Sequence, residues 1–225
     1  MTARPQRPRD AATLILVRRD GGPPRLLMGQ RSGGHDFMPG KWVFPGGRIC
    51  RADYAVPLAA GLPETTLQAL AATCRLQRQD GARLARALAA AAVRETFEET
   101  GLMLAGSMPR PQRAPAAYAP MAAAGLAPDL SGLTFVARAI TPPARHRRFD
   151  ARFLMADASG LAGLHPADSR ELHAVGWFTL DEARGLDLPT VTRAVIDVVA
   201  MHLAGRPPEA APFWRWTRAD PRSAL

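Results

Sequence analysis

The segment Arg94-Glu95-Thr96-Phe97-Glu98-Glu99-Thr100-Gly101-Leu102 gathers the densest chemistry of the 225-residue chain. Glu95, Glu98 and Glu99 stand at i, i+3 and i+4, so on a helix they share one face within about a turn of one another. Carboxylates that close repel each other, and at a helix C-terminus the peptide dipoles disfavour negative charge as well. Helix stability alone does not select such a trio. A hard divalent cation does, because Mg²⁺ takes oxygen ligands and draws phosphates into its remaining positions. Arg94, four residues before Glu98, can hold that carboxylate by a bidentate contact. The bland alternative is a solvated acidic helix end.

A second group lies upstream. Phe44-Pro45-Gly46-Gly47 is followed, after five residues, by Asp53. Together the two segments resemble the Nudix box, G-x5-E-x7-R-E-U-x-E-E-x-G-U, where U is a bulky apolar residue. Arg94, Glu95, Glu98, Glu99, Gly101 and Leu102 fit, while Thr96 stands where an aliphatic residue is usual and Asp53 where the family has Glu. Residues 54–93 occupy the place of seven, an insertion of 33. Both halves are intact at their ends. The chain is therefore similar to a Nudix branch with a long insert at this place, which includes coenzyme A diphosphatases. Leu26-Leu27 through Arg31-Ser32, Phe37-Met38-Pro39-Gly40, Arg148 through Phe153, and Glu171 ahead of Trp177-Phe178 extend the match. Asp36 departs from it, standing where the coenzyme A pattern has Arg.

The resemblance implies an α/β/α sandwich with a mixed sheet and a helical insertion. It also implies Mg²⁺- or Mn²⁺-dependent hydrolysis of a small-molecule diphosphate linked to a further moiety. Glu98 and Glu99 would be metal ligands, Glu95 a ligand or the base that orients water, and Arg94 their support. Gly46 and Gly47 leave backbone room beside the metal, and Glu171 would be a distal base or an extra ligand. Arg31, Arg148 and Arg152 are the expected substrate-binding cations; Arg145 and Arg147 complete a basic cluster around His146 that suits a terminal phosphate. Coenzyme A or an acyl derivative is the first substrate in view, giving 3′,5′-ADP and (acyl-)4′-phosphopantetheine. A nucleotide sugar, dinucleotide or nucleoside triphosphate keeps the chemistry and changes the substrate. A non-catalytic nucleotide- or RNA-binding module is the reading from another class, resting on Asp53 and the insertion alone.

Elements must hold these groups in place. Strands are expected over 11–17 and 25–30, and a short one over 42–44 pinned between glycine-rich corners. Helices are expected over 64–79 and 82–100, interrupted at Asp80-Gly81, the second ending at Gly101. Beyond them come a strand over 102–104, a helix over 116–124, and strands over 133–140, 152–156 and 172–179. Asp181 is expected to cap a short helix, and 190–203 forms an amphipathic one. This gives one mixed α/β domain over 11–204, with a basic arm before it and a Pro/Arg/Trp tail over 205–225. The helical insertion, 54–81, is expected to pack through Leu67 and Leu70.

Composition narrows the classes. Twenty-nine basic against 20 acidic residues give +9, which favours an anionic partner. No aromatic-basic surface pattern accompanies that charge, so nucleic acid is not the expected partner. Two cysteines, Cys50 and Cys74, cannot build a disulfide framework and read as reduced thiols. No stretch approaches ~18 apolar residues, so no membrane span is expected and the expected location is cytoplasmic. Phe213, Trp214 and Trp216 are expected to pack on the domain, a homodimer contact being the alternative.

Overall fold

Strand alternation decides the architecture. In the computed structural model, which describes residues 6–34, 38–74, 80–108, 113–143, 145–161 and 165–215, strand β1 spans Arg9–Arg18. Its Ala12, Leu14 and Leu16 enter one core cluster, and its Ile15 and Val17 enter another. Successive strand residues face opposite ways, so a strand apolar on both faces must be covered on both. After β1 come β2 (Arg25–Arg31), β3 (Trp42–Val43), β4 (Gly46–Arg48), α1 (Glu64–Ala71) and α2 (Gly81–Thr100). Next are β5 (Ala105–Ser107), α3 (Ala119–Ala123), β6 (Leu126–Pro128), β7 (Thr134–Ile140) and β8 (Phe149–Asp157). The chain continues through β9 (Leu172–Thr179), α4 (Leu180–Gly185), α5 (Thr190–Leu203) and β10 (Phe213–Arg215).

The main sheet runs β10-β7-β8-β1-β2-β3, with β4 also paired to β1 and β9 to β2. It is mixed: β1 is parallel to β8 from Arg9↔Phe149 to Val17↔Asp157, and β10 is parallel to β7, while the other pairs are antiparallel. Helix α2 covers one face through Leu84, Leu88, Ala89, Ala92 and Val93; α5 covers the other through Val195, Ile196, Val198 and Val199. The free edge of β1 is shared, β4 taking Ala11–Thr13 and β2 taking Val17 and Arg18. That division sets Gly46 and Gly47 beside the sheet's middle strand.

Helix α2 begins where Asp80 accepts the N–H groups of Ala82 and Arg83. It ends at Gly101, whose φ of 74° is the left-handed cap conformation that lacks a steric penalty only for glycine. The carboxylate trio therefore sits at the C-terminal end of a long helix. The insertion packs as the apolar spacing implies, with Leu70 buried and Leu67 half-buried against the same core as α2.

Several elements differ from expectation. Residues 102–104 form no strand, because Leu102 is buried and Met103 and Leu104 pack against the core; β5 forms just beyond, through pairing with β6. Gly46–Arg48 is a strand and not only a corner, since β1 supplies its partner. Helix α1 stops at Ala71, short of the expected 79. Thr179, not Asp181, caps α4: its hydroxyl accepts from the Glu182 N–H while the Glu182 carboxylate accepts from the Thr179 N–H. Within the expected tail, Phe213–Arg215 joins the sheet. Asp36, Phe37, Trp216 and 75–79 lie outside the described residues. No helix among the described residues is long and apolar enough to cross a membrane.

Candidate active site

Arg94 is the hub. Its Nε donates to Asp53 Oδ1 at 2.8 Å, and its Nη2 donates to Asp53 Oδ2 at 3.2 Å and to the Arg48 carbonyl at 3.0 Å. Its Nη1 donates to Glu95 Oε1 at 2.8 Å and to Glu98 Oε2 at 3.2 Å. A guanidinium carries five N–H groups in a fixed fork, and here each direction has an acceptor. Burial works against the Arg94 charge, yet the hydrogen bond to Asp53 and the charges of Glu95 and Asp53 outweigh it and hold the guanidinium above its ordinary range. The two halves of the box thus meet across the insertion. Asp53 caps the arginine's inner edge with a side chain that is 0% exposed.

Glu95 stands one step further out. It lines a cleft of about 1110 Å³ together with Arg31, Gly46, Gly47, Arg94 and Glu171. Burial raises its pKa, Arg94 opposing and Glu98 and Glu171 adding to the rise. Gly47 is required beside it, because a Cβ there would fall on the Glu95 carboxylate. Glu99 lies deeper, 4% exposed, with Oε2 accepting the Gly46 N–H at 2.9 Å. Burial pushes its carboxyl up to about 8; the Gly46 N–H and Arg31 pull it down, and Glu95 and Glu171 push it further up. Glu98, its side chain 44% exposed, does not line the cleft. Arg31 is buried enough that its own pKa falls, against the pull of Glu99, Glu171 and Glu95. Glu95, Glu99 and Asp53 therefore lie in a largely buried neighbourhood with Arg31 and Arg94, while Glu98 and Glu171 are exposed.

The basic cluster divides. Arg145, His146 and Arg147 line the cleft, as do Thr141 and Pro189–Thr192 at the start of α5. Arg148 and Arg152 do not line it. Arg148 donates from Nε to the Thr141 carbonyl and from Nη1 to the Gln6 carbonyl, fastening the N-terminal segment. Arg152 is fully buried: it donates to Asp10, to Thr73 Oγ1 and carbonyl, and to the Asp150 carbonyl, and it pairs with the Asp150 carboxylate at 3.4 Å. The expectation of Arg152 as a substrate cation is thus corrected to a structural one, because Asp150 and Arg152 share the inner face of β8 at i and i+2. Arg152→Ala would take one of two cationic partners from buried Asp150, Arg138 remaining, an effect of about 1.5–3 kcal/mol for a lost hydrogen bond to a charged group. A thermal melt should show a large drop in Tm, and the residual enzyme should show no altered preference among phosphorylated substrates.

Glu95, Glu98 and Glu99 offer only hard carboxylate oxygens, and burial, with Glu95 and Glu171 adding to it, raises the Glu99 pKa, a cost that a bound cation would offset. Both features suit Mg²⁺ or Mn²⁺. Among the described residues no three such groups are already gathered at metal-holding distance, Arg94 being the partner of Glu95 and Glu98 instead. Sequence reasoning missed Tyr118, whose hydroxyl donates to Asp53 Oδ1 at 2.7 Å from 65 residues away; no local signal announces it.

No protein-family model matches the chain. No curated protein matches it either. Among solved structures, a Nudix hydrolase from Alicyclobacillus acidocaldarius superposes with a TM-score of 0.63 at 27% identity, over 86% of this chain and 91% of that one. The Nudix domain of Shewanella oneidensis NrtR, solved with ADP-ribose, superposes at 0.50 and 13% identity, over 88% of this chain and 90% of that one, a likeness of fold alone. The layered mixed sheet and the reassembled box define the Nudix fold here, and the protein is an enzyme of the Nudix hydrolase superfamily.

Proposed function

We propose that the protein is a divalent-metal-dependent diphosphatase that hydrolyses a nucleotide-linked diphosphate, coenzyme A or acyl-coenzyme A foremost, to 3′,5′-ADP and (acyl-)4′-phosphopantetheine. One observation carries the reading: a single cleft is lined both by Glu95, Glu171 and Arg31 and by Arg145, His146 and Arg147. Acid groups suit a metal-bridged diphosphate, and a separate basic loop suits a phosphate elsewhere on the same molecule. Glu95, Glu98 and Glu99 would hold Mg²⁺ or Mn²⁺, which when bound neutralises diphosphate charge and lowers the pKa of water. Arg94 aims Glu95 and Glu98. Gly46 fixes Glu99 through its N–H, Gly47 gives the Glu95 carboxylate its space, and Arg31 balances the charge of Glu99 and Glu171. Glu95, its pKa raised by burial, would take the proton of attacking water, and Glu171, which lines the same cleft, would be the alternative acceptor.

The test is a panel of coenzyme A, dinucleotides, nucleotide sugars and nucleoside triphosphates incubated with Mg²⁺, the products resolved by mass. Coenzyme A should yield the two named products, with ¹⁸O from labelled water on one phosphate only. Cleavage of the other diphosphates but not of coenzyme A would overturn the substrate and keep the chemistry. Arg145→Ala and Arg147→Ala should raise KM for coenzyme A about tenfold, one charge-assisted contact, and leave KM for its 3′-dephospho form near wild type. Equal effects on both would remove the remote-phosphate role.

A further inference from the structure

We propose that Tyr118 is a positioning residue for the hydrolysis, its hydroxyl and Asp53 together setting the orientation of the Arg94 guanidinium that aims Glu95 and Glu98. The proposal rests on the reading that Glu95 serves diphosphate hydrolysis. The Asp53 carboxylate is sealed from solvent and accepts four hydrogen bonds: Arg94 Nε at 2.8 Å and Tyr118 Oη at 2.7 Å on Oδ1, Arg94 Nη2 at 3.2 Å and the Cys50 N–H at 2.6 Å on Oδ2. Tyr118 and the Arg94 Nε–H thus share one oxygen. Without the phenol, Oδ1 keeps only the Arg94 Nε–H, and the carboxylate loses one of the four contacts that fix its plane. Rotation of Asp53 carries the Arg94 fork with it, because both Arg94 bonds to Asp53 are tied to the carboxylate plane.

Tyr118 suits the task chemically. It is 1% exposed, in the turn Ala116–Tyr118 that precedes α3, packed in the same core as α2. Burial and the nearby Asp53 charge raise the phenol's pKa, so the hydroxyl stays a donor at working pH. A neutral donor orients the carboxylate without competing for the charge that Arg94 supplies. A lysine in its place would divide that charge.

An alternative role for Tyr118, as an anchor of its own turn, makes different predictions. If the pair positions Arg94, Tyr118→Phe lowers kcat about tenfold, the worth of one hydrogen bond to a charged group, while KM stays within about twofold. Asp53→Glu lengthens the acid by one methylene and drives it into the space of the Tyr118 hydroxyl, so it impairs the wild-type background more than the Tyr118→Phe background. Asp53→Glu/Tyr118→Phe should therefore be more active than Asp53→Glu alone, and it also serves if Tyr118→Phe by itself folds poorly. An activity-independent readout is the Arg94 Nε–H resonance in arginine-¹⁵N-labelled protein, assigned by its absence from Arg94→Lys. Its protection from solvent exchange should fall at least about tenfold in Tyr118→Phe, the same hydrogen-bond magnitude. Unchanged kcat or unchanged protection in Tyr118→Phe, or a double variant no more active than Asp53→Glu alone, overturns the proposal. If wild-type protein cleaves no diphosphate, the reaction reading fails while the Arg94 resonance still decides whether the pair sets the guanidinium.

Discussion

Glu99→Gln is expected to lower kcat by roughly a thousandfold, the rate equivalent of the several kcal/mol that metal-borne charge stabilisation supplies. The fold should survive, because a glutamine amide oxygen still accepts the Gly46 N–H that Glu99 Oε2 accepts at 2.9 Å. A second readout follows from the titration of this carboxyl in metal-free protein. Burial, with Glu95 and Glu171 adding to it, lifts its pKa from 4.5 to about 8 against the pull of Gly46 and Arg31. A carboxyl raised in the folded state binds its proton more tightly there than in the unfolded chain. Its contribution to stability is therefore whole below 4.5 and is lost as pH rises toward about 8. Metal-free wild type should melt lower near the upper end of that window than near the lower end. Glu99→Gln should flatten the slope, and added Mg²⁺ should restore the melting temperature of wild type at high pH but not of the variant. The same slope in both proteins would show that Glu99 is not the group titrating.

Gly47→Ala should cost about a hundredfold in turnover and leave the fold intact. The added Cβ meets the Cδ and both oxygens of Glu95, which form the far end of a flexible side chain and can move away. Moving them takes Glu95 off Arg94 Nη1 and out of its place in the cleft. A misplacement of about 1 Å at a reacting group is worth on the order of a hundredfold in rate. Gly46→Ala is the control, since its Cβ would meet the Ala12 carbonyl oxygen at 2.5 Å and Thr13 Cα at 2.6 Å. Those are backbone atoms of β1, so that variant should lose stability as well as activity. Steady-state kinetics beside thermal melts separate the two glycines. Wild-type turnover in Gly47→Ala would remove Glu95 from the reaction.

Much of this was legible in the residues themselves. Thr190–Leu203 coincides with its expected bounds because helical periodicity continues to its end, and Leu172–Thr179 does so through its pairing with β2 from Leu172 to Thr179. The hub was legible for the same reason: one helical turn brings Arg94 to Glu98, whatever surrounds them. Where tertiary pairing decides, the pattern was silent or misleading. Ala105-Gly106-Ser107 has no strand propensity and becomes β5 because β6 lies alongside; Leu102–Leu104 has it and is spent on the core instead. Proximity in sequence also grouped Arg145 through Arg152 as one basic patch. Arg152 lies within β8 and faces the same side as Asp150, so it went inward to Asp150 and Asp10, while Arg145 and Arg147 precede the strand and stayed at the cleft. Tyr118 meets Asp53 only because two segments far apart in the chain fold into one core.

The short strand β10 has a consequence for how copies of the chain behave toward each other. It hydrogen-bonds in parallel along the outer side of β7, at Phe213↔Arg138, Trp214↔Ala139 and Arg215↔Ile140. Arg138, already paired with Asp150, also lies over the Phe213 ring at 4.6 Å. Without those three residues, β7 would end the sheet with a row of unpaired amides, a template on which another chain can add a strand. Three residues bearing an arginine make a poor template themselves. The segment thus moves the sheet's exposed boundary from a long apolar strand to a short charged one and works as a safeguard against intermolecular sheet growth.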